Sequence, residues 1–550
     1  MKKEKILPFL GLKKFPAAIH TLYFLSILAV ALIPALLGKE QQKISFIYLS
    51  YWIQAGVILW WFHSMFKNLK WLIHKELAIA GLIALFASIL VHLSFDHALK
   101  INSDEANLLS VARSLFHTHT PWNVIEAKSY FNFFVPVTKE LAVRPIGFPF
   151  IIQIFHLLFG PTPTSAFFAN ALFGFTLFLL TITAWKKTFF GLINLMLLLS
   201  SGIISVCITS AGFDIASATL LYASIYLAIL TLDPEKKHLD SLFYSTLAVF
   251  SSIRYESPAI ALFILTIHLY KRKKIPEFIL QSDSKLFLIC LIPHFWLRNI
   301  TAISFDNQAG IAVFSIGNLK SNGLTFWASI FTIEHSVSGI AFILGILGCF
   351  VSFSRKSLAA ASVALFPVLF SVIFFGSYYA GDITQPTQTR FFLPVIIGAA
   401  YTSTKLIEAI SEKIQPSFLF CTITLLFISS FSYSTQSKNL NSLYLYREMK
   451  IIYSYLEKQK LKNVIIIHNR PVQFTALGYG AFSHESFQQN YQSLKNELNN
   501  GLYEKIIIFD SEKFGKARNS FTSTKLKNPK SIFQINSEEY GVIYEMTPEI

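Results

Sequence analysis

The sequence predicts a polytopic α-helical membrane protein with a small C-terminal α/β soluble domain, and three observations predict it. The chain of 550 residues is 53% hydrophobic and 15% aromatic with only 14% charged residues, at a mean hydropathy of +0.50. Soluble chains carry nearer 25% charge, so a multidomain cytosolic or secreted enzyme is excluded over most of the length, and so is disorder. About a dozen apolar stretches approach the roughly 20 residues that a helix needs to cross a bilayer. From about Thr435 the character changes: charges become dense and apolar runs shrink to strand length.

The net charge of +16, from 47 Lys and Arg against 31 Asp and Glu, does not point to nucleic acid. The basic residues stand in short clusters between apolar runs and form no single stripe, which is how cytoplasmic loops are marked. The clusters are Lys2 to Lys14, Lys67 to Lys75, Lys186-Lys187, Lys236-Lys237, Lys271 to Lys274, Arg355-Lys356 and Lys405 to Lys413. With these inside, the predicted spans are 17–37, 45–66, 77–95, 163–184, 188–208, 211–231, a hairpin of short helices at 241–253 and 257–270, then 284–297, 332–353, 357–375, 391–406 and 416–434. That makes about thirteen. The first run is too long for a signal-peptide core and no small-residue cleavage site closes it, so it reads as a retained span. An odd number beginning inside puts the C-terminus outside the cytoplasm, together with the loop from Asp96 to Arg144.

The expected organisation is an N-terminal transmembrane hairpin over 1–75, a transmembrane domain over 76–435 with its first outer loop at 96–144, and a domain outside the cytoplasm over 436–550. In that last domain, Val464 to His468 and Lys505 to Asp510 flank a helical segment near Phe487 to Asn499 at β-α-β spacing. Ile532 to Ile535 and Gly541 to Met546 read as a closing hairpin. Gly478-x-Gly480 lacks the third glycine of a dinucleotide fingerprint and reads as a turn. His468-Asn469-Arg470 stands at a strand end, where open α/β sheets bind ligands. Cys207, Cys290, Cys349 and Cys421 lie in or beside apolar runs and read as core thiols, with no disulfide or metal spacing.

The first outer loop carries the chemistry. Leu108, Leu109, Ala112, Leu115 and Phe116 recur at helical spacing while Asn107, Ser110, Arg113 and His117 fall on other faces, which predicts an amphipathic helix at the membrane surface. Asn102 and Glu105 have capping-box spacing, and acidic residues at a helix start complement its dipole. Adjacent helical residues point about 100° apart, so of Asp104 and Glu105 one acts and the other supports. A carboxylate near Arg113, Lys139 and Arg144 stays ionised and can accept a proton or hold a divalent cation. Leu141-Ala142-Val143-Arg144-Pro145-Ile146-Gly147-Phe148-Pro149-Phe150 follows, then an apolar helix ending in Leu157-Leu158-Phe159-Gly160.

An acidic pair after a transmembrane helix, a basic residue with proline, and an apolar helix ending in Leu-Phe-Gly resemble the GT-C superfamily of glycosyltransferases. The branch most similar in pattern holds the protein O-mannosyltransferases and the lipid A aminoarabinose transferases. The resemblance implies an integral-membrane enzyme that takes a sugar from a polyprenyl-phosphate carrier, with Asp104 as the catalytic carboxylate, Glu105 as its companion and Arg144 as the basic residue before the proline. The family usually has two consecutive prolines there, and this chain has one. Ser210-Ala211-Gly212-Phe213-Asp214, Ser252-Ile253-Arg254-Tyr255-Glu256 and Thr387-Gln388-Thr389-Arg390-Phe391-Phe392-Leu393-Pro394 match later elements in the same order. The similarity covers roughly 75–435.

Charges against a membrane cost about 2.5–3.5 kcal/mol each at a helix centre, so Asp214, Arg254 and Glu256 need a reason to be there. Arg254 and Glu256 either pair at a hairpin turn or Arg254 binds the carrier phosphate. Arg390 is the favoured phosphate ligand, with Arg254 and Arg144 beside it. Asp214, His97 and Lys139 are the candidates for acceptor or substrate contact. The expected partners are a polyprenyl-phosphate-linked sugar donor, a glycan, lipid or protein acceptor, and the bilayer of the inner or plasma membrane, with no nucleic acid. No metal-ligand cluster stands in the sequence, and a divalent cation is left open. A transporter, which predicts inverted repeats and midplane charges, and a flippase or non-catalytic partner of envelope glycan assembly are the competing readings.

Overall fold

The computed structural model of the protein describes residues 38–68, 75–100, 102–131, 133–185, 187–272, 282–301, 314–330, 343–348, 369–370, 372–378, 386–411, 415–436, 452–458, 463–510, 530–534 and 542–548, with four isolated residues ahead of them. Helices α1 (Lys39–Lys67) and α2 (Lys75–Ser94) lead into α3 (Asn102–Thr118) of the 96–144 loop. A hairpin of β1 (Trp122–Tyr130) and β2 (Phe133–Leu141) follows. The helical body continues through α4 (Gly147–Phe159), α5 (Pro163–Thr183), α6 (Thr188–Leu199), α7 (Gly202–Ile208), α8 (Asp214–Leu230), α9 (Asp240–Ser251), α10 (Ser257–Lys271), α11 (Ser282–Thr301), α12 (Ile316–Ile330), α13 (Leu393–Ile410) and α14 (Pro416–Gln436). The C-terminal part holds β3 (Val464–Ile467), α15 (Val472–Thr475), β4 (Gly480–Phe482), α16 (His484–Asn499), β5 (Lys505–Asp510), β6 (Lys530–Gln534) and β7 (Val542–Met546).

Among the described residues, five helices are long and apolar enough to cross a membrane: α1, the 77–94 part of α2, α5, the 390–410 helix and the 417–436 helix. The expected spans at 17–37, 332–353 and 357–375 lie wholly or largely outside the described residues. The expected span 188–208 is instead two helices, α6 and α7, bent by 82° at Ser200-Ser201. Ser200 Oγ turns back onto Leu197 O and Ser201 enters an extended conformation, which ends one helix and starts the next. The short pair α9 and α10 forms the expected hairpin around Ser252 to Glu256. Helix α1 is built into the body: Gln54 donates to Ser252 Oγ at 3.1 Å and Trp61 to Thr246 Oγ1 at 3.1 Å. Of the cysteines, Cys207 and Cys290 are buried, but Cys421 is exposed, because it lies on the outward side of α14.

The outer-loop hairpin and the C-terminal strands make one sheet, ordered β2-β1-β4-β3-β5-β7-β6. Its centre, β4-β3-β5, is parallel, as the β-α-β spacing predicts, and β7 and β6 close one edge antiparallel. At the other edge β1 adds antiparallel to β4 through Ala127 opposite Ala481. Strand β1, which ends 350 residues before β4 begins, is fastened to the C-terminal part by side chains as well. Glu126 accepts from Ser483 N and Oγ at 2.9 and 2.7 Å, Lys128 pairs with Glu497 at 2.6 Å, and Thr475 Oγ1 donates to Val124 O at 2.7 Å. The outer loop and the C-terminal strands therefore lie on one side of the bilayer.

Gly480, expected to be a turn residue, begins β4 and lets β1 and β3 close on it. A Cβ there would stand 2.8 Å from Ser129 N and 2.6 Å from Ile465 Cδ1. Gly480→Ala is expected to cost about 1–3 kcal/mol by overpacking, read as a lowered Tm. An unchanged Tm would mean that the β1–β4 pairing is dispensable.

Candidate functional site

Helix α3 forms where the apolar spacing predicts it, but it does not lie with its polar face in water. Up to Arg113 that face is covered by β1 and α15: Ser110 Oγ bonds both Val124 N and Val124 O at 2.8 and 3.2 Å, and Asn123 Nδ2 donates to Asn107 at 3.1 Å. The tertiary partners arrive from β1 and α15, and local periodicity cannot announce them. The start of α3 is thereby held against the N-terminal ends of α4, α8, α10 and α13.

There the structure joins six of the expected charged residues into one alternating chain. Arg144 Nη2 donates to Asp104 Oδ1 and Arg390 Nη2 to Asp104 Oδ2, both at 2.7 Å. Arg390 Nη1 reaches Asp214 Oδ2 at 3.2 Å, Arg254 takes the other oxygen of Asp214, and Arg254 Nε pairs with Glu256. Three guanidiniums thus meet three carboxylates, which is how charges are kept in a buried place. Asp214, Arg254 and Arg390 are almost wholly enclosed. Arg254 also lies over the rings of Phe213, Phe375 and Phe391. Burial works against the charge of Asp104, but Arg144 and Arg390 outweigh it and hold the carboxyl well below the usual range. Burial likewise opposes the charge on Arg144, and Asp104 raises its pKa above the ordinary value.

Glu105 is fully buried one position on and turns toward the 210–214 turn, where its Oε1 accepts from Ala211 N at 3.2 Å. Asp104 and Glu105 therefore face different partners, as the helical geometry requires. His97 stands apart, its ring stacked on His92 with Nε2 2.8 Å from His92 Nδ1. Burial and Lys100 depress its pKa against the pull of Asp96. Lys139 lies on edge strand β2 with its ammonium 4.7 Å from the centre of the Trp122 ring, and no ion pair among the described residues ties it to the network. His468 packs its ring between Phe474 and Phe509 and accepts from Arg470 N at 3.0 Å.

Several positioning residues were not legible in the sequence. Asn170 of α5 donates to Ser210 O and Gly212 O at 2.7 and 2.8 Å and fixes the turn that presents Asp214. A polar amide inside an apolar span was the available signal. Gly147 lets α4 touch the α9–α10 turn, with its N–H 3.0 Å from Ser252 O; a Cβ would fall 2.4 Å from that oxygen. This contact fixes the segment that carries Arg144. Lys100 is buried against Thr209 Oγ1, and burial lowers its pKa to about 8 although Glu105 pulls it up.

A cleft opens beside the network, with Asp214, Arg254, Glu256, Ser257 and Arg390 on its polar wall and Leu221, Phe250, Ile260, Phe375 and Phe391 on its apolar wall. Two donors in it, Arg390 Nε and Ser257 Oγ, are buried without a hydrogen-bond partner among the described residues. No set of three or more His, Cys, Asp or Glu residues that could hold a metal occurs among the described residues.

No family model and no curated protein matches this sequence. Solved structures do. ArnT from Cupriavidus metallidurans bound to undecaprenyl phosphate is 12% identical at a TM-score of 0.52, over 85% of this chain and 97% of that one. Its apo form gives 12% and 0.51 over the same shares. The apo oligosaccharyltransferase of Archaeoglobus fulgidus is 10% identical at 0.43, over 80% of this chain and 70% of that one. The likeness to ArnT shows the fold: a multi-pass helical membrane protein of GT-C architecture with a small sheet domain.

Proposed function

We propose that this GT-C-fold chain is a membrane glycosyltransferase that moves a sugar from a polyprenyl-phosphate carrier to an envelope glycan, lipid or protein acceptor outside the cytoplasm, with inversion at the anomeric carbon. The observation that carries the reading is the Asp104–Arg390–Asp214–Arg254 network beside a mostly apolar cleft, two of whose lining residues carry donors unpartnered among the described residues. A polyprenyl phosphate needs an apolar wall for its chain and guanidinium and hydroxyl donors for its head. Arg390 Nε and Ser257 Oγ supply donors that no carboxylate already occupies, and Arg254 and Arg144 stand next in line.

The acceptor hydroxyl attacks the anomeric carbon, the bond from that carbon to the phosphate oxygen breaks, and the polyprenyl phosphate leaves with the electron pair. Asp104 takes the hydroxyl proton. In the resting network both of its oxygens are engaged by guanidiniums, which makes it a weak base. A donor phosphate that draws hydrogen bonds from Arg390 loosens one of these and raises the basicity of Asp104 with the donor in place. The arginines then stabilise the charge that develops on the leaving phosphate. Glu105 holds the 210–214 turn, and Asp214 keeps Arg390 and Arg254 side by side.

The direct test is release of undecaprenyl phosphate from a panel of undecaprenyl-phosphate-linked sugars by the protein in nanodiscs. Failure to bind any of them would remove the donor assignment and leave the transporter reading in its place. Topology is a second test. Single cysteines at the exposed positions Glu140 and Asn500 are expected to react with an impermeant thiol reagent in spheroplasts. Protection of both, with a positive control labelled, would put the site on the cytoplasmic side.

A further inference from the structure

Arg113 lies nine residues beyond Asp104 on α3, about 13 Å along the helix, and takes no part in the network. It is mostly buried, and no carboxylate among the described residues pairs with it. Its guanidinium lies over the Phe134 ring at 4.5 Å and against Gly478, which leaves it room: a Cβ there would stand 2.5 Å from Nη1. Its Nε is buried without a partner among the described residues, and burial lowers its pKa to about 10. Each of the three network guanidiniums meets a carboxylate, whereas Arg113 meets none among the described residues.

Its surroundings say what kind of anion fits. One turn on, His117 is exposed, and Phe116 stands between it and His156 of α4 at ring separations of 5.0 and 5.9 Å. His156 is buried with Nδ1 unpartnered. The end of α4 then presents Leu157, Leu158 and Phe159 outward, and the end of α3 meets α1 where His119 packs on Tyr51 at 4.6 Å beside the exposed Trp52. Trp and Tyr mark the level of lipid headgroups.

We propose that Arg113, with His117, forms a second phosphate site, distinct from the donor cleft, that holds the phosphate of an anionic membrane lipid while its acyl chains lie along Leu157, Leu158 and Phe159. A phosphate oxygen takes the free Nε–H of Arg113, and the ring N–H of the exposed His117, one turn on, is the second donor. The apolar residues at the end of α4 favour a lipid over free phosphate.

The test uses the full-length protein in nanodiscs of mixed phosphatidylglycerol and phosphatidylcholine, with native mass spectrometry of the lipid that stays bound on release. Wild type is expected to retain phosphatidylglycerol preferentially, and Arg113→Gln to lose about fivefold of that preference, the worth of one basic residue at an anionic surface. In phosphatidylcholine alone Arg113→Gln keeps or raises the Tm, since it removes an uncompensated buried cation. Should that variant not fold, Arg113→Lys keeps the charge without the fork and is expected to weaken retention as well. Unchanged retention in the folded variants overturns the site. Inorganic phosphate that raises the Tm in phosphatidylcholine discs as much as phosphatidylglycerol does overturns the lipid assignment. Binding of undecaprenyl phosphate in the same samples is expected to be unaffected.

Discussion

Asp104→Asn is expected to lower turnover by roughly 10²–10⁴-fold, the usual worth of a positioned proton acceptor. The substitution keeps the size of the side chain and one acceptor oxygen but leaves Arg144 and Arg390 sharing one negative charge fewer. Stability is therefore expected to fall too, by part of the roughly 3–5 kcal/mol that an unpaired buried charge costs, since Asn retains a hydrogen bond. The pH dependence separates the two losses. The folded pKa of Asp104 is depressed by its two guanidiniums, so its contribution is fully present above the unfolded value of about 3.9 and is lost as pH falls through the folded value. The difference in stability between wild type and Asp104→Asn should then stay constant from about pH 5 to pH 8 and shrink only below about pH 4. Glu105→Gln, which keeps an acceptor for Ala211 N, is expected to cost less turnover. Near-normal release of undecaprenyl phosphate by Asp104→Asn from a donor that wild type uses would sink the mechanism and leave Asp104 as a clamp for the arginines.

Arg390→Lys is expected to abolish most donor binding even though it keeps the charge. Arg390 spends Nη1 on Asp214 and Nη2 on Asp104, and its Nε is buried without a partner among the described residues. A lysine offers one point charge and cannot span both carboxylates while also meeting a phosphate. Asp104 and Asp214 would be left short of a partner, and affinity for undecaprenyl phosphate is expected to fall by about two orders of magnitude, in line with the cost of truncating one side of a buried charge pair. Arg254→Lys tests the competing assignment. Arg254 is held by Asp214, Glu256 and three aromatic rings, so its loss should damage the fold more than it damages phosphate binding. If donor affinity survives Arg390→Ala and disappears in a folded Arg254 variant, the phosphate belongs to Arg254.

The sequence by itself determined the class of the protein, the chain positions of most described spans and the C-terminal strands, because each rests on a local signal. Apolar length marks a span, period two marks a strand, and proline and basic clusters mark the ends; β5 falls on Lys505–Asp510 as the residues predict. The residues of the network were legible for a related reason: Asp104, Asp214, Arg254, Glu256 and Arg390 are charges at the edges of apolar helices, where only pairing makes them tolerable. Which of them pair was decided by tertiary structure. Asp104 and Arg390 are 286 residues apart, and nothing local relates them. The same holds for the sheet. Strand β1 does not alternate, because two register shifts around Glu126 break its inside-outside pattern, and its partner β4 is a three-residue strand beginning at Gly480, far along the chain and too short to signal itself. Once that pairing forms, it covers the polar face of α3, which periodicity alone assigned to water, and it leaves Lys139 on an outer edge and Arg113 enclosed without a counter-charge. Local spacing fixes which face of an element is polar; only the assembled fold fixes what that face meets.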